Sequence, residues 1–483
     1  MDFHSAIFAS QRGLEYNGKR IFEEGSVVNV CAEAILEQGK KMLTDVLEKH
    51  HMEVPWHTYS KQGRKCPIME ATLEEKASII GRVGLIMLSC GTGAWRVRSS
   101  MNTLARQLGV TCTANIGLMD IGFNCYDGER GVSRNLCLPN TGVNTYKLYK
   151  MVQYVSGFHK HCLHKTGEEI HQELDRLNRT PALYSPLQLG LASALACGGF
   201  TFLLGGGVPE ILLAFLAAGF GNFVRSSLIR SHFTLFLNIA LAVVTASVVY
   251  TLGLWIGETW LHVAPVHQAG YICGMLFLIP GFPFITSGID LSKLDLRSGL
   301  ERLAYALLII LVATLTGWGM ARILGLRPLN FVPLGLAPDI TLALRLVASF
   351  CGVFGFSIMF NSPAKLAATA GLFGAVANTL RLELVDLAGF PASGAAFLGA
   401  LTAGLLASAY KKHTGYPRIA QTVPSIVIMV PGLYLYRAIY HLGGMALDQS
   451  ASWFASAGTI IMALPLGLIA ARILTDRNFR YSS

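Results

Sequence analysis

Nearly continuous apolar runs fill the chain from Leu187 onward, and they constrain its fold more than any other feature. A helix of about 20 apolar residues is long enough to cross the roughly 30 Å hydrocarbon core of a bilayer. Residues 1–183 are instead mixed in polarity, and charged residues make up only 14% of the whole chain, against about 25% in soluble proteins. The sequence therefore predicts an α-helical integral membrane protein that begins with a soluble domain.

Ten apolar segments predict ten transmembrane helices. Twelve Lys and Arg residues lie in loops on one side of these segments and five on the other, and the more positive side is normally cytoplasmic. The chain also opens without the apolar region of a signal peptide. We therefore expect a multi-pass protein of the cell (inner) membrane with both termini in the cytoplasm. The predicted limits are 187–205, 208–224, 233–256, 270–289, 303–324, 341–359, 364–380, 391–410, 422–440 and 454–474.

The ten segments divide into two groups of five that resemble each other. In each group the second segment starts at proline and ends with Asn-x-x-Arg, and the fourth contains a Pro-Gly pair. Five is an odd number, so the second group must enter the membrane from the opposite side, which predicts an inverted repeat. The matched residues are Pro209 and Pro363, Asn222 and Asn378, Arg225 and Arg381, Pro280 and Pro431, and Gly281 and Gly432.

The Pro-Gly pairs are the candidate substrate site. The stretch "LIPGFPFITSGIDL" contains Pro280, Gly281 and Pro283, and "MVPGLYLYRAIYHL" contains Pro431 and Gly432. Breaks at membrane depth are tolerated where the freed backbone groups are buried in protein or line a wet cavity. We therefore expect both breaks near the bilayer midplane, facing each other across a pseudo-two-fold axis. The alternative is that Pro and Gly merely kink two membrane helices.

Five polar residues complete the candidate site. Asn222, Asn378 and Asn361 are candidate substrate contacts, and Arg437 suits a carboxylate because its guanidinium forms a matching fork. Glu210 is the candidate for proton coupling, since intramembrane acids are costly and often functional. The alternatives are hydrogen bonds between helices for the asparagines and a favourable helix-dipole position for Glu210.

The soluble part predicts a small cytoplasmic α/β domain over residues 73–183. Two helices meet near Gly91-Thr92-Gly93, and the strand-like runs "VTCTANIGLMDIGFN" and "VSRNLCLPN" flank the turn "YDGERG". Two further helices follow. Residues 1–72 form an N-terminal extension to which the sequence assigns no structure, and the two membrane repeats are predicted over 184–327 and 328–483.

No catalytic set, metal site or cofactor motif stands out in the soluble part. The "GTGAWR" stretch resembles a phosphate-binding loop, but it lies between helices rather than after a strand. In "HKHCLH" only His161 and His164 share a helix face, which favours a solvated surface over a metal site. The net charge of +10 lies largely beside the spans, where it sets topology. We therefore predict no enzyme activity, no cofactor and no nucleic-acid partner.

Three stretches resemble a known family. They are "GLIMLSCGTGAWRVRSSMNTLARQLGV", "GFSIMFNSPAKLAATAGLFGAVANTLR" and "TVPSIVIMVPGLYLYRAI", and they resemble the threonine/serine exporter family. The second half is also similar to the five-span subunit of the two-component succinate exporter of the same superfamily. The resemblance implies a proton-driven secondary exporter (an antiporter) of small polar metabolites, threonine and serine first.

Two rival functions stay open beside the amino-acid exporter. The first is export of a dicarboxylate such as succinate, and the second is a membrane-anchored sensor or enzyme. The expected partners are a small-molecule substrate, protons and the lipid bilayer, and the sequence leaves open whether the protein forms a homo-oligomer.

Overall fold

The computed structural model describes residues 54–57, 66–128, 130–264, 266–328 and 330–480. The chain divides into two compact units, Met1–Trp56 and His57–Ser483, and the sheet and long helices of the described residues lie in the second. Most of the predicted N-terminal extension, residues 1–72, lies outside the described residues. The predicted boundaries 73–183, 184–327 and 328–483 stay predictions.

The soluble region packs four helices with a three-stranded antiparallel sheet of order β1-β2-β3. Thr72 caps the first helix by accepting a hydrogen bond from the Glu75 amide, and Thr166 forms a capping box with Glu169 at the fourth. Gly81 of the first helix lies against the Phe123 ring of the sheet, where a β-carbon would overlap it. The elements are α1 (Leu73–Ser89), α2 (Ala94–Gln107), β1 (Thr111–Ile116), β2 (Asp120–Asp127), β3 (Arg130–Cys137), α3 (Thr145–His161) and α4 (Gly167–Asn178).

The sequence predicted two strands around one turn, but the structure has three strands. The run "VTCTANIGLMDIGFN" folds back on itself, with the Gly117 amide donating to the Asp120 carbonyl at 2.8 Å. The sequence does not indicate this turn, because Leu118 and Met119 are apolar residues of the kind found in strands. A carboxylate from the membrane region holds it, since the Leu118 amide donates to Glu301 Oε2 at 2.6 Å.

The membrane region contains helices and two short 3-10 segments. The 3-10 segments, His267–Tyr271 and Cys273–Leu278, precede the first Pro-Gly pair. The helices are α5 (Pro186–Leu203), α6 (Val208–Arg230), α7 (Leu235–Trp260), α8 (Gly281–Ser292), α9 (Leu296–Leu324), α10 (Pro338–Met359), α11 (Ala364–Asp386), α12 (Ala392–Thr414), α13 (Ile419–Val427), α14 (Gly432–Gly443), α15 (Leu447–Thr475) and the short α16 (Arg477–Arg480).

Seven helices in the described part of the chain are long and apolar enough to cross a membrane: α5, α6, α7, α9, α10, α12 and α15. Two bent pairs raise the number to nine if each counts as one span. They join 267–278 to α8 at 55° and α13 to α14 at 50°. The seventh predicted span, 364–380, is helix α11, but it is too polar to belong to this set. The chain is thus a multi-pass membrane protein with seven to nine membrane-capable helices, and ten spans remain a proposal.

Three pairs of helices at corresponding places in the two halves have equal lengths. Helices α6 and α11 each have 23 residues, α8 and α14 have 12, and α9 and α15 have 29. Leu294 and Met445 both have φ of 60°, and each lies 14 residues after the proline of its break (294 − 280 and 445 − 431). The correspondence extends beyond the quoted motifs to turns with no sequence signature.

The loops predicted to be cytoplasmic gather around the soluble region. Asp295 pairs with Arg98 at 2.6 Å, Arg297 pairs with Asp120 at 2.7 Å, and the Thr145 amide donates to a carbonyl of the α10–α11 turn at 3.1 Å. These contacts involve the α8–α9 connection and the α10–α11 turn, so one end of the helix bundle faces the soluble region. The loop after α9 contacts α14 at the other end, where Arg437 donates to Asn330 at 3.1 Å.

One buried carboxylate joins the soluble region to the bundle. Asp290 of α8 accepts a hydrogen bond from the Ala94 amide at the start of α2, at 3.1 Å. Arg302 of α9 lies 3.2 Å from the same carboxylate oxygen and donates to the carbonyls of Gly91 and Thr92, at 3.2 and 2.8 Å. Both side chains are almost fully buried. The "GTGAWR" loop therefore binds an aspartate of its own chain at a helix N-terminus, where anions are favoured.

The first prediction concerns topology. In a variant lacking the ten native cysteines, Arg477→Cys and Val332→Cys should be labelled from opposite sides of the membrane by an impermeant maleimide. The two positions are exposed and lie at opposite ends of the bundle. Labelling of both positions from the same side would mean that an even number of spans separates them, instead of the five that are predicted.

The second prediction concerns the junction. Asp290→Asn should lower the thermal unfolding midpoint strongly, because an unpaired buried charge costs about 3–5 kcal/mol. Asp120→Asn is the matched control, since its pair with Arg297 is partly exposed and such pairs contribute about 0–1 kcal/mol. Equal midpoints for the two variants, measured by differential scanning fluorimetry, would refute the importance of the buried pair.

Candidate functional site

The two Pro-Gly breaks have the same backbone geometry. Pro280 has φ −79° and ψ 57°, and Pro431 has φ −82° and ψ 61°. In each break the glycine amide donates to the carbonyl two residues earlier at 2.8 Å. This is an inverse γ-turn centred on proline. Each turn starts a 12-residue half-helix, α8 or α14, at the bend of its pair. Pro283 lies in the first turn of α8, where its missing amide hydrogen has no helical partner.

The structure brings the two breaks into contact. A β-carbon on Gly281 would overlap Cγ2 of Val427, which lies just before the second break, and one on Gly432 would overlap Cδ1 of Ile279, just before the first. Only glycine permits this approach at both positions. The contact is reciprocal, as expected for breaks that face each other. Their depth in the bilayer stays a prediction.

The guanidinium of Arg381, a residue of the matched Asn-x-x-Arg motif, lies beside the second break. Arg381 of α11 donates to the Met429 carbonyl at 3.4 Å, two residues before Pro431. Its Nε is buried and has no hydrogen-bond partner among the described residues. The equivalent residue in the first half, Arg225, also has a buried Nε without such a partner there. In the sequence, the matched Asn-x-x-Arg motif indicated that this region matters. In the second half its arginine contacts the break and its asparagine does not.

Two tyrosines lie beside the breaks, on the side away from the soluble domain. The sequence did not indicate either of them. The hydroxyl oxygens of Tyr271 and Tyr436 lie 2.6 Å apart, and their rings meet edge to face at 5.8 Å. Both side chains are buried. Tyr271 precedes the first break and Tyr436 follows the second, so this hydrogen bond ties the two bent spans together. An apolar cavity of about 30 Å³ lies beside it and reaches Gly432.

Glu210 lies in a buried pair with a histidine. His267 Nδ1 is 2.6 Å from Glu210 Oε1, and the Gly207 amide donates to Oε2 at 3.1 Å. Tyr250 donates to the His267 carbonyl at 2.6 Å and so fixes the backbone of the histidine. The capping contact agrees with the helix-dipole interpretation, while the imidazole adds a partner able to exchange a proton with the carboxylate.

The matched asparagines hold helices together. Asn222 Nδ2 donates to the Leu189 carbonyl of α5 at 2.8 Å, and Asn378 Nδ2 donates to Ser349 Oγ of α10 at 2.9 Å. Each links the second helix of its half to the first, as the structural alternative expected. Asn378 Oδ1 is buried without a hydrogen-bond partner in the described part of the chain, so this amide retains an acceptor.

Asn361 lies at the junction with the soluble domain. Its amide donates to Asn144 Oδ1 at 2.9 Å, and its oxygen accepts from the Leu183 amide at 2.8 Å. The adjacent Ser362 hydroxyl is 2.7 Å from that of Thr145. Both polar atoms of the Asn361 side chain thus form hydrogen bonds at this junction and not at the breaks. We do not propose Asn361 as a substrate contact.

Arg437 lines an open cavity at the end of the bundle opposite the soluble region. The cavity has a volume of about 640 Å³ and also contains His441, Asp448 and Trp453. The Arg437 guanidinium lies 5.1 Å from the centre of the Trp453 ring, within the range of a cation–π contact. The structure therefore places Arg437 in a cavity at the end of the bundle far from the soluble region rather than between the two breaks.

Comparisons with known proteins agree with this architecture. The family model described as "Putative threonine/serine exporter" matches residues 78–324, and the one described as "Threonine/Serine exporter, ThrE" matches residues 345–474. The "Probable succinate transporter subunit YjjP" of Escherichia coli (strain K12) is 26% identical over 251 residues, covering 49% of this chain and 92% of that protein. No solved structure matches the chain. With more than half of its residues matched by the first family model, the chain belongs to the threonine/serine exporter family.

Proposed function

We propose that this protein is a secondary active exporter whose substrate passes between the two Pro-Gly breaks. The observation that carries the proposal is the reciprocal contact of two breaks with one backbone geometry. Each break ends one helix and starts another, so helix ends and freed backbone groups meet at one place. Transporters of inverted-repeat design bind substrate and coupling ions at such discontinuous helices.

The proposed architecture is ten spans in two inverted repeats of five. Helix α11 has the same length as α6 and supplies the seventh span. Each bent pair runs from one end of the bundle to the other, which supports one crossing per pair. The first pair starts at His267 beside Glu210 and ends at Asp290 beside the soluble domain. The second starts near Arg418 and ends near Arg437, in the cavity that we call the outer vestibule.

We place the cytoplasm on the side of the soluble domain and the outer vestibule on the other side of the cell (inner) membrane. The Tyr271–Tyr436 hydrogen bond then lies between the breaks and the vestibule, where it acts as an outer gate. Rocking of one repeat against the other would part these hydroxyls, and each would need a new partner. The soluble domain follows this motion through the Asp290 junction, and we assign it gating rather than enzymatic chemistry.

The first substrate candidate is a hydroxy amino acid, threonine or serine, as the family description names. A zwitterion needs acceptors for its ammonium and donors for its carboxylate. The carbonyls before the breaks can accept hydrogen bonds from the ammonium. The N-termini of α8 and α14, together with Arg381, can donate to the carboxylate. A dicarboxylate is the second candidate, because the similar Escherichia coli protein is described as a succinate transporter subunit. That protein's description as a subunit also favours an oligomeric assembly.

We assign proton coupling to the pair of Glu210 and His267. The carboxylate is 2% exposed and its imidazole partner 17% exposed, so protons reach the pair from the histidine side. A proton on the pair changes its net charge, and an intramembrane charge change is a strong conformational bias. The pair contacts the segment that leads to Tyr271 and the first break.

The third prediction tests the breaks. Pro431→Ala should lower export at least about tenfold, since proline removes about 3 kcal/mol or more of helix stability and its loss favours a continuous helix. Gly432 is kept, because a β-carbon there would overlap Ile279. Export of labelled threonine and of labelled succinate should be measured in inverted vesicles, which also separates the two substrate candidates.

Pro338→Ala is the matched control for this variant. Pro338 is exposed and lies in the first turn of α10, where proline is tolerated without a break. Wild-type export by Pro431→Ala, with the protein inserted normally, would show that the breaks are only kinks.

The fourth prediction tests proton coupling. Glu210→Gln should remove the stimulation of export by a pH gradient, because glutamine keeps the hydrogen-bonding shape but carries no proton. Exchange of labelled for unlabelled substrate without a gradient should continue. Glu258→Gln, on a less buried carboxylate of α7, is the control. Full gradient stimulation in Glu210→Gln vesicles would exclude this pair as the coupling site.

A further inference from the structure

Three guanidinium groups line one cavity between the soluble domain and the bundle. Arg96 comes from α2, Arg418 precedes α13 and Arg472 lies near the end of α15. The cavity has a volume of about 50 Å³, several times the roughly 10–15 Å³ that a single water needs. It also touches Ile289 of α8 and Thr422 of α13, which places it on the cytoplasmic side of both bent spans.

Positive charge exceeds negative charge in this cavity. Asp476 is the carboxylate nearest to the cluster, with Oδ2 3.8 Å from Arg418 and 3.9 Å from Arg472. Asp290 also lines the cavity, but Arg302 lies 3.2 Å from its Oδ2 and balances its charge. Three guanidiniums against one unshared carboxylate leave a surplus of two positive charges. Burial, and then the nearby Arg418, lowers the pKa of Arg96 to about 10.

The arginines have unused hydrogen-bonding capacity. The Nε atoms of Arg418 and Arg472 are buried and have no hydrogen-bond partner among the described residues. Arg96 forms no ion pair with any carboxylate in the part of the chain that the structure describes. Buried donors without partners are costly, and like charges brought together raise that cost. An anion that accepts from several guanidiniums would remove both penalties at once.

An aromatic side chain closes the cavity. Phe479 of α16 is buried, meets Trp95 edge to face at 5.9 Å and lies 4.2 Å from the Arg472 guanidinium. Lys293 holds it from outside, with Nζ 3.7 Å from the ring centre and 3.2 Å from the Phe479 carbonyl. Phe479 belongs to α16, and Asp476 directly precedes that helix. Movement of α16 away from the cavity would enlarge the cavity and would also withdraw the Asp476 carboxylate from it.

We propose that Arg96, Arg418 and Arg472 form a cytoplasmic binding site for a small organic dianion, a dicarboxylate of about four carbons, which displaces Asp476. Once Asp476 is displaced, three guanidinium groups face the ligand and attract both carboxylates of a dianion, whereas they would repel the ammonium of a zwitterionic amino acid. The site rests on the proposed exporter function, for which it supplies the entry point and favours the dicarboxylate among the candidate substrates.

The fifth prediction is measured on the full-length protein in phosphatidylcholine nanodiscs by calorimetry. Succinate should bind the wild type, and Arg96→Gln should weaken binding at least about tenfold, since truncating one partner of a buried charge contact is costly. Asp476→Asn should strengthen binding, because the competing internal anion is gone. Arg106→Gln, an exposed arginine on the same helix, should bind as the wild type. Wild-type affinity in Arg96→Gln, or weaker binding in Asp476→Asn, would overturn the site.

Competitors identify the ligand class. Threonine should not compete with succinate, and inorganic phosphate should compete only weakly. Equal competition by either one would overturn the dicarboxylate assignment. Nanodiscs with phosphatidylglycerol test a lipid headgroup as the source of the anion: if phosphatidylglycerol abolishes succinate binding to the wild type, the cluster is assigned to lipid and the proposal is overturned.

Export measured in vesicles tests the proposed binding site and the proposed exporter function independently. If wild-type vesicles export neither succinate nor threonine while binding follows the expected pattern, the site stands and the exporter function fails. If they export succinate and Arg96→Gln exports it equally fast, the exporter function stands and the site is wrong.

Discussion

The buried carboxylate of Asp290 is the contact on which the arrangement of the two parts depends. It satisfies the amide at the start of α2, and Arg302 neutralises it while also binding the carbonyls of the preceding loop. Desolvating two charges is costly, and further hydrogen bonds offset part of the cost, such as the one that Ser298 donates to Asp290 Oδ2 at 2.9 Å. The soluble domain is thus fixed to α8, the half-helix that starts at the first break, so movement of that break is transmitted to the domain.

The contact between the breaks extends this coupling across the bundle. Gly281 lies against the end of α13 and Gly432 against the segment before α8, with no room for a side chain on either. Neither half-helix can shift along its axis without displacing the other. The Tyr271–Tyr436 hydrogen bond adds a second tie between the same two spans. Packed interfaces of this kind tend to have discrete arrangements rather than a continuous range, which suits a transporter that alternates between two states.

The sequence predicted the breaks well, because Pro and Gly act on the local backbone, and it predicted longer-range contacts poorly. Nothing in the pattern around Tyr271 indicates that its hydroxyl meets Tyr436, 165 residues away. The predicted seventh span ended at residue 380, just before Arg381, but α11 continues past this arginine to Asp386. The predicted fifth span began at residue 303 because charged residues precede it, while α9 begins at Leu296 and buries Arg302. Charges that find buried partners are indistinguishable in sequence from charges that face water.

The charge of the substrate decides what drives export. Moving one elementary charge across a membrane is worth about 2.3 kcal/mol per 100 mV. With the cytoplasm negative, a dianion entering at the arginine cavity is driven outward by about twice that amount, with no need of proton coupling. A zwitterion gains nothing from the potential, so its export against a gradient depends on protons at the Glu210–His267 pair. The two candidate substrates therefore require different parts of the same structure. A dicarboxylate exporter depends on Arg96, Arg418 and Arg472, and an amino-acid exporter depends on the buried carboxylate of Glu210.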